Sequence, residues 1–158
     1  MKITPLRALS MGLASALAGA LGAAAEAAAP AGRYTISVGS VYDARTKLTW
    51  QRSAPTTPYT WDDAKAYCAS GSVGAALGGT GWRLPTEKEL LTLVDYSVPP
   101  PGPTIDAAAF PGTPGDAFWS TTPVTDPHSG GGLWYVDFST GHAIGYAVSP
   151  TSYVRCVR

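Results

Sequence analysis

The sequence predicts an α+β domain, and two observations carry that prediction: well-capped helix starts fall in its first half, and an antiparallel sheet gathers in its second. The most tightly specified stretch is Gly81-Trp82-Arg83-Leu84-Pro85-Thr86-Glu87-Lys88-Glu89-Leu90-Leu91. Trp82 and Leu84 alternate with Arg83 as in a half-buried strand, and Pro85 holds Leu84 extended because its ring clashes with a helical predecessor. Thr86 then caps a helix through its hydroxyl. Glu89 stands where it returns a bond to the Thr86 amide, and Pro85 is placed to pack on Leu90. Leu90, Leu91, Leu93 and Val94 follow at helical spacing and give this helix an apolar stripe.

Residues 1–29 read as a secretory signal peptide. Lys2 and Arg7 give a positive start, Ala8 to Ala25 is an uncharged run of small and apolar residues, and the cleavage patterns Ala23-Ala24-Ala25 and Ala25-Glu26-Ala27 end it. Residues 30–39 form a lead-in and 40–158 the domain, so no membrane span is expected after cleavage, and the product is periplasmic or extracellular. About 130 residues then remain, enough for one domain with one core. Lys2, Arg7 and Glu26 account for 2 of the 11 basic and 1 of the 11 acidic residues, leaving 9 and 10. That balance argues against a nucleic-acid partner held by bulk charge.

The two cysteines, Cys68 and Cys156, are expected to pair in an exported chain, the alternative being two unpaired buried thiols. Neither has a His or a second Cys nearby in sequence, as an active-site thiol would want.

Taken in order, Arg33 to Val41 alternates apolar and polar residues and reads as one strand, with a second at Lys47 to Gln51 after the turn-prone Asp43-Ala44-Arg45-Thr46. Thr60 caps a helix from Trp61 to about Ala69, with Asp62 and Asp63 in the first turn, where the helix dipole favours acid. Trp61, Ala64 and Cys68 share its inner face. Ser70 to Thr80 is glycine-rich and reads as a loop. Ser97 to Gly115 is dense in Pro and Gly and is expected to be irregular. Ala117 to Thr122 is a strand, and Pro123 to Gly132 a second irregular loop. Trp134, Val136 and Phe138 then face one way, with Tyr135, Asp137 and Ser139 the other. Thr140-Gly141 turns the chain, and His142 to Val148 returns as a hairpin partner. In a last strand, Tyr153 to Arg158, alternation places Cys156 with Val154, so a bridge to Cys68 would tie the first helix to the chain end.

Four motifs in this order carry a resemblance: Trp61-Asp62-Asp63-Ala64 with Cys68; Gly81-Trp82-Arg83-Leu84-Pro85-Thr86 with Glu89-Leu90; Phe118-Trp119-Ser120-Thr121; and Tyr153-Val154-Arg155-Cys156-Val157-Arg158. Over about Ser40 to Arg158 the chain resembles the Lcl C-terminal domain family of exported bacterial proteins, itself similar to the C-type lectin-like fold. The resemblance implies two helices, a mostly antiparallel sheet, a helix-to-last-strand disulfide and long irregular loops that carry a binding surface. It implies a non-catalytic module without cofactor that recognises a glycan or cell-surface polymer. The alternatives are a structural or protein-interaction domain of the cell envelope and, behind it, a catalyst similar to the formylglycine-generating enzymes. The Gly-X-Y tract and basic excess of the family's sulfated-glycan-binding namesake are absent, as are the Glu-Pro-Asn and Trp-Asn-Asp strings of calcium-dependent lectins. The formylglycine-generating enzymes share a Trp-Arg-Leu-Pro-Thr-Glu string, but their catalytic cysteine pair has no counterpart here.

Tyr135, Asp137 and His142, on or near one face of the late hairpin, are the ligand candidates. Asp106, Asp116 and Asp126 sit in irregular loops as potential oxygen donors, without the dense acidic spacing of a calcium loop. His128 and His142 together make neither a metal triad nor a nucleophile-base pair. Trp119 and Trp134 fit core-facing positions. Arg83 is expected to pair with Glu87 or Asp95. Ligand is expected on residues 97–115 and 123–132, with Tyr135 and Asp137 at the edge.

Overall fold

The computed structural model describes residues 29–125, 131–146 and 151–158. Among these residues are three helices and two three-stranded antiparallel sheets. The first sheet comprises β1 (Tyr34–Ile36), β2 (Ser40–Asp43) and β3 (Leu48–Gln51). Helices α1 (Trp61–Ala69), α2 (Gly71–Leu77) and α3 (Glu87–Leu91) follow. The second sheet comprises β4 (Ala117–Pro123), β5 (Leu133–Asp137) and β6 (His142–Tyr146). The α+β order, the disulfide from a helix to the chain end and the long irregular connections are as expected.

Two local readings change. The alternating run at 33–41 is broken because Ser37 donates its backbone N–H to the Ser40 carbonyl at 2.8 Å, folding β1 back on β2 with Ile36 opposite Val41. Val38 is left 97% exposed at that turn. The glycine-rich stretch after α1 contains a helix rather than a loop: the Ser70 hydroxyl accepts the Val73 N–H at 3.3 Å, and Val73 is buried against the second core. Tertiary burial there outweighs the poor helix propensity of two glycines.

Elsewhere the local chemistry does what the residues dictate. Thr60 caps α1 through the Asp63 N–H. Thr86 and Glu89 exchange bonds in a full capping box, with the Thr86 amide donating to Glu89 Oε2 at 2.8 Å and the Glu89 amide to Thr86 Oγ1 at 3.3 Å. Glu89 also receives both guanidinium arms of Arg83, at 2.9 and 2.7 Å. Arg83 thus pairs with neither Glu87 nor Asp95, because the fork geometry rewards the carboxylate already fixed by the cap. Its backbone makes a single antiparallel bridge to Val157 rather than a strand.

The Arg83 bond holds the Glu89 carboxyl at about 2 against an ordinary 4.5, with burial opposing and the Thr86 amide assisting. A depressed carboxylate contributes stability that is present above its unfolded value and lost as the pH falls through its folded one. The melting temperature is therefore expected to drop between pH 4.5 and about 2. Glu89→Gln should shallow that drop without abolishing it, because Asp43, bonded to Arg33, is also depressed. An acid limb of the same slope in wild type and variant would refute the linkage.

The C-terminal segment joins the sheets. Gln51 and Thr49 of β3 donate to Cys156 and Arg158 carbonyls, Val157 and Arg83 exchange two bonds, and Tyr153 accepts the N–H of Trp119 and donates to the Ala117 carbonyl on β4. It pairs through isolated bridges instead of one continuous strand, since it serves three neighbours in turn. Val154, Arg155, Cys156 and Val157 are fully buried. In place of one core there are two. Val41, Trp50, Leu90, Phe118, Phe138 and Val157 belong to the first, and Ala64, Cys68, Trp82, Leu84, Trp119 and Cys156 to the second. Phe118 and Trp119, adjacent on β4, point into different cores, so the second sheet is covered on both faces. The Cys68–Cys156 bridge, with Cα atoms 5.4 Å apart, closes the second core.

Candidate functional site

The irregular segment after α3 is fixed at three points. Asp95 donates its backbone N–H to the Thr104 carbonyl at 2.9 Å, Thr104 donates to the Phe138 carbonyl at 2.8 Å, and the Asp95 carboxylate accepts the Ser97 N–H at 2.9 Å. This lays residues 95–104 on the β5–β6 turn. That turn needs Gly141, whose φ is 76° and whose missing Cβ would stand 2.8 Å from Val94 and 3.3 Å from Tyr96. The Tyr96 hydroxyl donates to the Gly141 carbonyl at 3.2 Å while its side chain stays 70% exposed.

Beside it lies a cavity of about 310 Å³ lined by Pro30, Arg33, Tyr34, Leu93–Ser97 and Asp106, and in the uncleaved chain by Ala29. Its far wall is rigid. Arg33 pairs at 3.0 Å with Asp43, whose side chain is fully buried, bonds the Thr92 carbonyl, and lies 4.6 Å from the Tyr34 ring centroid. Tyr34 packs edge-on against Phe110 at 5.2 Å, and burial raises its pKa. Burial opposes ionisation of Asp43, but the Arg33 bond and the Arg45 N–H outweigh it and hold the carboxylate below its ordinary range. The cavity therefore offers aromatic edges, two carboxylates that accept hydrogen bonds, and a guanidinium already satisfied. Such a set suits a hydroxylated, uncharged ligand better than an anion.

The expected site residues are divided by the structure. Asp106 lines the cavity, and its carboxylate accepts the N–H groups of Ala108 and Ala109 at 2.9 Å and, in the uncleaved chain, that of Ala29 at 2.7 Å. Asp137 shapes the hairpin turn: its carboxylate accepts the Ser139 N–H and its carbonyl the Gly141 N–H, both at 2.7 Å. His142 is exposed, directly after Gly141 and opposite Asp137 in register. Tyr135 is placed differently. It is half-buried and packs edge-on against Trp119, 6.3 Å between centroids, as part of the second core, because β5 is covered on both faces. Trp119 is fully buried and donates its indole N–H to the Tyr59 carbonyl, whereas Trp134 is only half-buried. Asp116 is exposed. Asp126 and His128 lie outside the described residues, as do the other residues of 126–130 in the second loop.

Sequence reasoning missed Arg33, Tyr34 and Tyr96 as site residues. The signal for Tyr96 was an aromatic flanked by Asp95 and Ser97 just before a proline run. Among the described residues no group of three or more His, Cys, Asp or Glu side chains could hold a metal ion. Both cysteines are in the bridge, leaving no free thiol. No helix among the described residues is long and apolar enough to cross a membrane.

A comparison with curated proteins finds no match. Among solved structures, the crystal structure of botrocetin is similar, with a TM-score of 0.42 and 11% identity, over 83% of this chain and 98% of that one. The Lcl C-terminal domain family matches residues 39–158, three-quarters of the sequence and nearly all of the described structure. The chain belongs to the Lcl C-terminal domain family.

Proposed function

We propose that this protein is an exported, non-catalytic binding module that holds a glycan or hydroxylated cell-surface polymer on the face formed by residues 95–106 and the β5–β6 turn. The observation that carries the reading is Tyr96, exposed to 70% yet tied by its hydroxyl to Gly141, beside a cavity with Asp95 and Asp106. An aromatic face with neighbouring carboxylates fits a sugar ring, which offers an apolar C–H face and hydroxyl donors. Asp137 and His142 stand at the edge of this surface. Export is supported by the signal-like residues 1–29, by the family and by the disulfide.

A second reading, a protein-interaction domain of the envelope, draws on the exposed apolar residues Ile36, Val38 and Tyr42 of the β1–β2 hairpin. A glycan array probed with the purified protein separates the two. The wild type is expected to bind a defined set of glycans, and Tyr96→Ala with Asp106→Asn to lose roughly tenfold or more in affinity. An array without signal, or a double variant that folds and binds normally, would reject the glycan reading.

A further inference from the structure

The chain runs exposed at Pro30, Ala31 and Gly32, yet Ala29, directly before them, is half-buried and lines the Tyr96 cavity. It is held there by a bond from its backbone N–H to Asp106 Oδ2 at 2.7 Å, across 77 positions of sequence. The other carboxylate oxygen, Oδ1, accepts the Ala108 and Ala109 amides at 2.9 Å each, so it shapes its own loop whatever happens at Oδ2. Among the described residues no Lys or Arg pairs with Asp106. Oδ2 is therefore the acceptor that Asp106 has to offer the cavity, and Ala29 occupies it.

The turn that follows Ala29 closes without it. The Arg33 N–H donates to the Pro30 carbonyl at 3.0 Å, Gly32 takes the required positive φ of 80°, and the Ala44 N–H ties the Arg33 carbonyl to the end of β2 at 2.9 Å. The family match begins at residue 39, so this strap lies outside the matched region. Where the leader is cut decides whether Ala29 stays. A cut after Ala25 or Ala27, where the two cleavage patterns end, retains it, whereas removal of all of residues 1–29 takes it away.

We propose that Ala29 is an autoinhibitory plug of the Tyr96 face: its N–H takes the place of a ligand hydroxyl at Asp106 Oδ2, and trimming the chain to Pro30 opens the site. This rests on the glycan reading of that face. An amide N–H and a sugar hydroxyl each bring one donor to the carboxylate, so they compete for the same oxygen. A site that is open for only part of the time binds with an affinity reduced by that fraction.

Two forms of the protein, one beginning at Glu26 and one at Pro30, test the plug with the glycan array as probe. The Pro30 form is expected to bind the same glycans roughly fivefold more tightly than the Glu26 form, the effect of one competing bond to a charged group. Amide hydrogen exchange adds a reading that needs no glycan. In the Glu26 form the Ala29 N–H should exchange roughly fivefold more slowly than in the same form carrying Asp106→Asn, whose side-chain oxygen keeps the Ala108 and Ala109 bonds while its NH2 group cannot accept. Equal exchange in those two proteins, or equal affinity of the Glu26 and Pro30 forms, would overturn the plug and leave the glycan reading standing. A Pro30 form that binds no glycan would reject that reading and the plug with it.

Discussion

Replacing Cys68 and Cys156 by alanine is expected to remove about 4 to 5 kcal/mol of stability in the chain-entropy model, because the bridge closes a loop of 88 positions. That is most of the net stability of a marginal domain of this size. The bridge also lies at the centre of a packed region: both cysteines are fully buried and share the second core with Trp82, Leu84 and Trp119. Urea unfolding of oxidised and reduced protein checks the effect. A midpoint unchanged on reduction would show that the C-terminal segment is held by its backbone bonds alone.

Arg155→Ala is expected to cost about 3 to 5 kcal/mol, combining a cavity with stranded acceptors. The side chain is fully buried and donates to the Gln51 and Arg52 carbonyls and to Thr113 Oγ1, each at 2.7 Å. Its guanidinium lies 4.8 and 5.7 Å from the Phe110 and Phe118 ring centroids, and burial pushes its pKa down to about 9. No carboxylate pairs with it among the described residues; backbone carbonyls and aromatic faces take that role. Arg155→Met, which restores volume but not bonds, should fall between wild type and Arg155→Ala. Equal melting temperatures for wild type and Arg155→Ala would show that this network contributes nothing net.

The contrast between Arg83 and Arg155 shows what the sequence made legible. Arg83 stands before a proline and a cap whose local rules run to completion; its carboxylate partner differed from expectation because the cap had already fixed Glu89, and the expected strand is a single bridge to Val157. Arg155 sits in the motif Val154-Arg155-Cys156, where alternation locates the cysteine but gives no account of a buried cation. Its partners are 104 and 103 residues away, at the end of β3 and just after it, and 42 away in the irregular segment. The Thr60 and Thr86 caps and the β5–β6 hairpin are contiguous in the chain and were readable. The α2 helix and the packing of Tyr135 on Trp119 depend on neighbours brought by tertiary contact, which local periodicity does not encode. The same applies to the binding face: Asp106 was visible as a loop acid, but its proximity to Tyr96, Arg33 and Tyr34 comes from Asp95, Thr104 and Phe138 bonding in sequence across three separate segments.

The most direct test of the binding face is amide chemical-shift mapping of the labelled protein titrated with a glycan that it binds on the array. The account predicts perturbations at Asp95, Tyr96, Ser97, Asp106 and Gly141, with the amides of α1 and of Ile36, Val38 and Tyr42 unmoved. Perturbations confined to Ile36, Val38 and Tyr42 of that hairpin would contradict it.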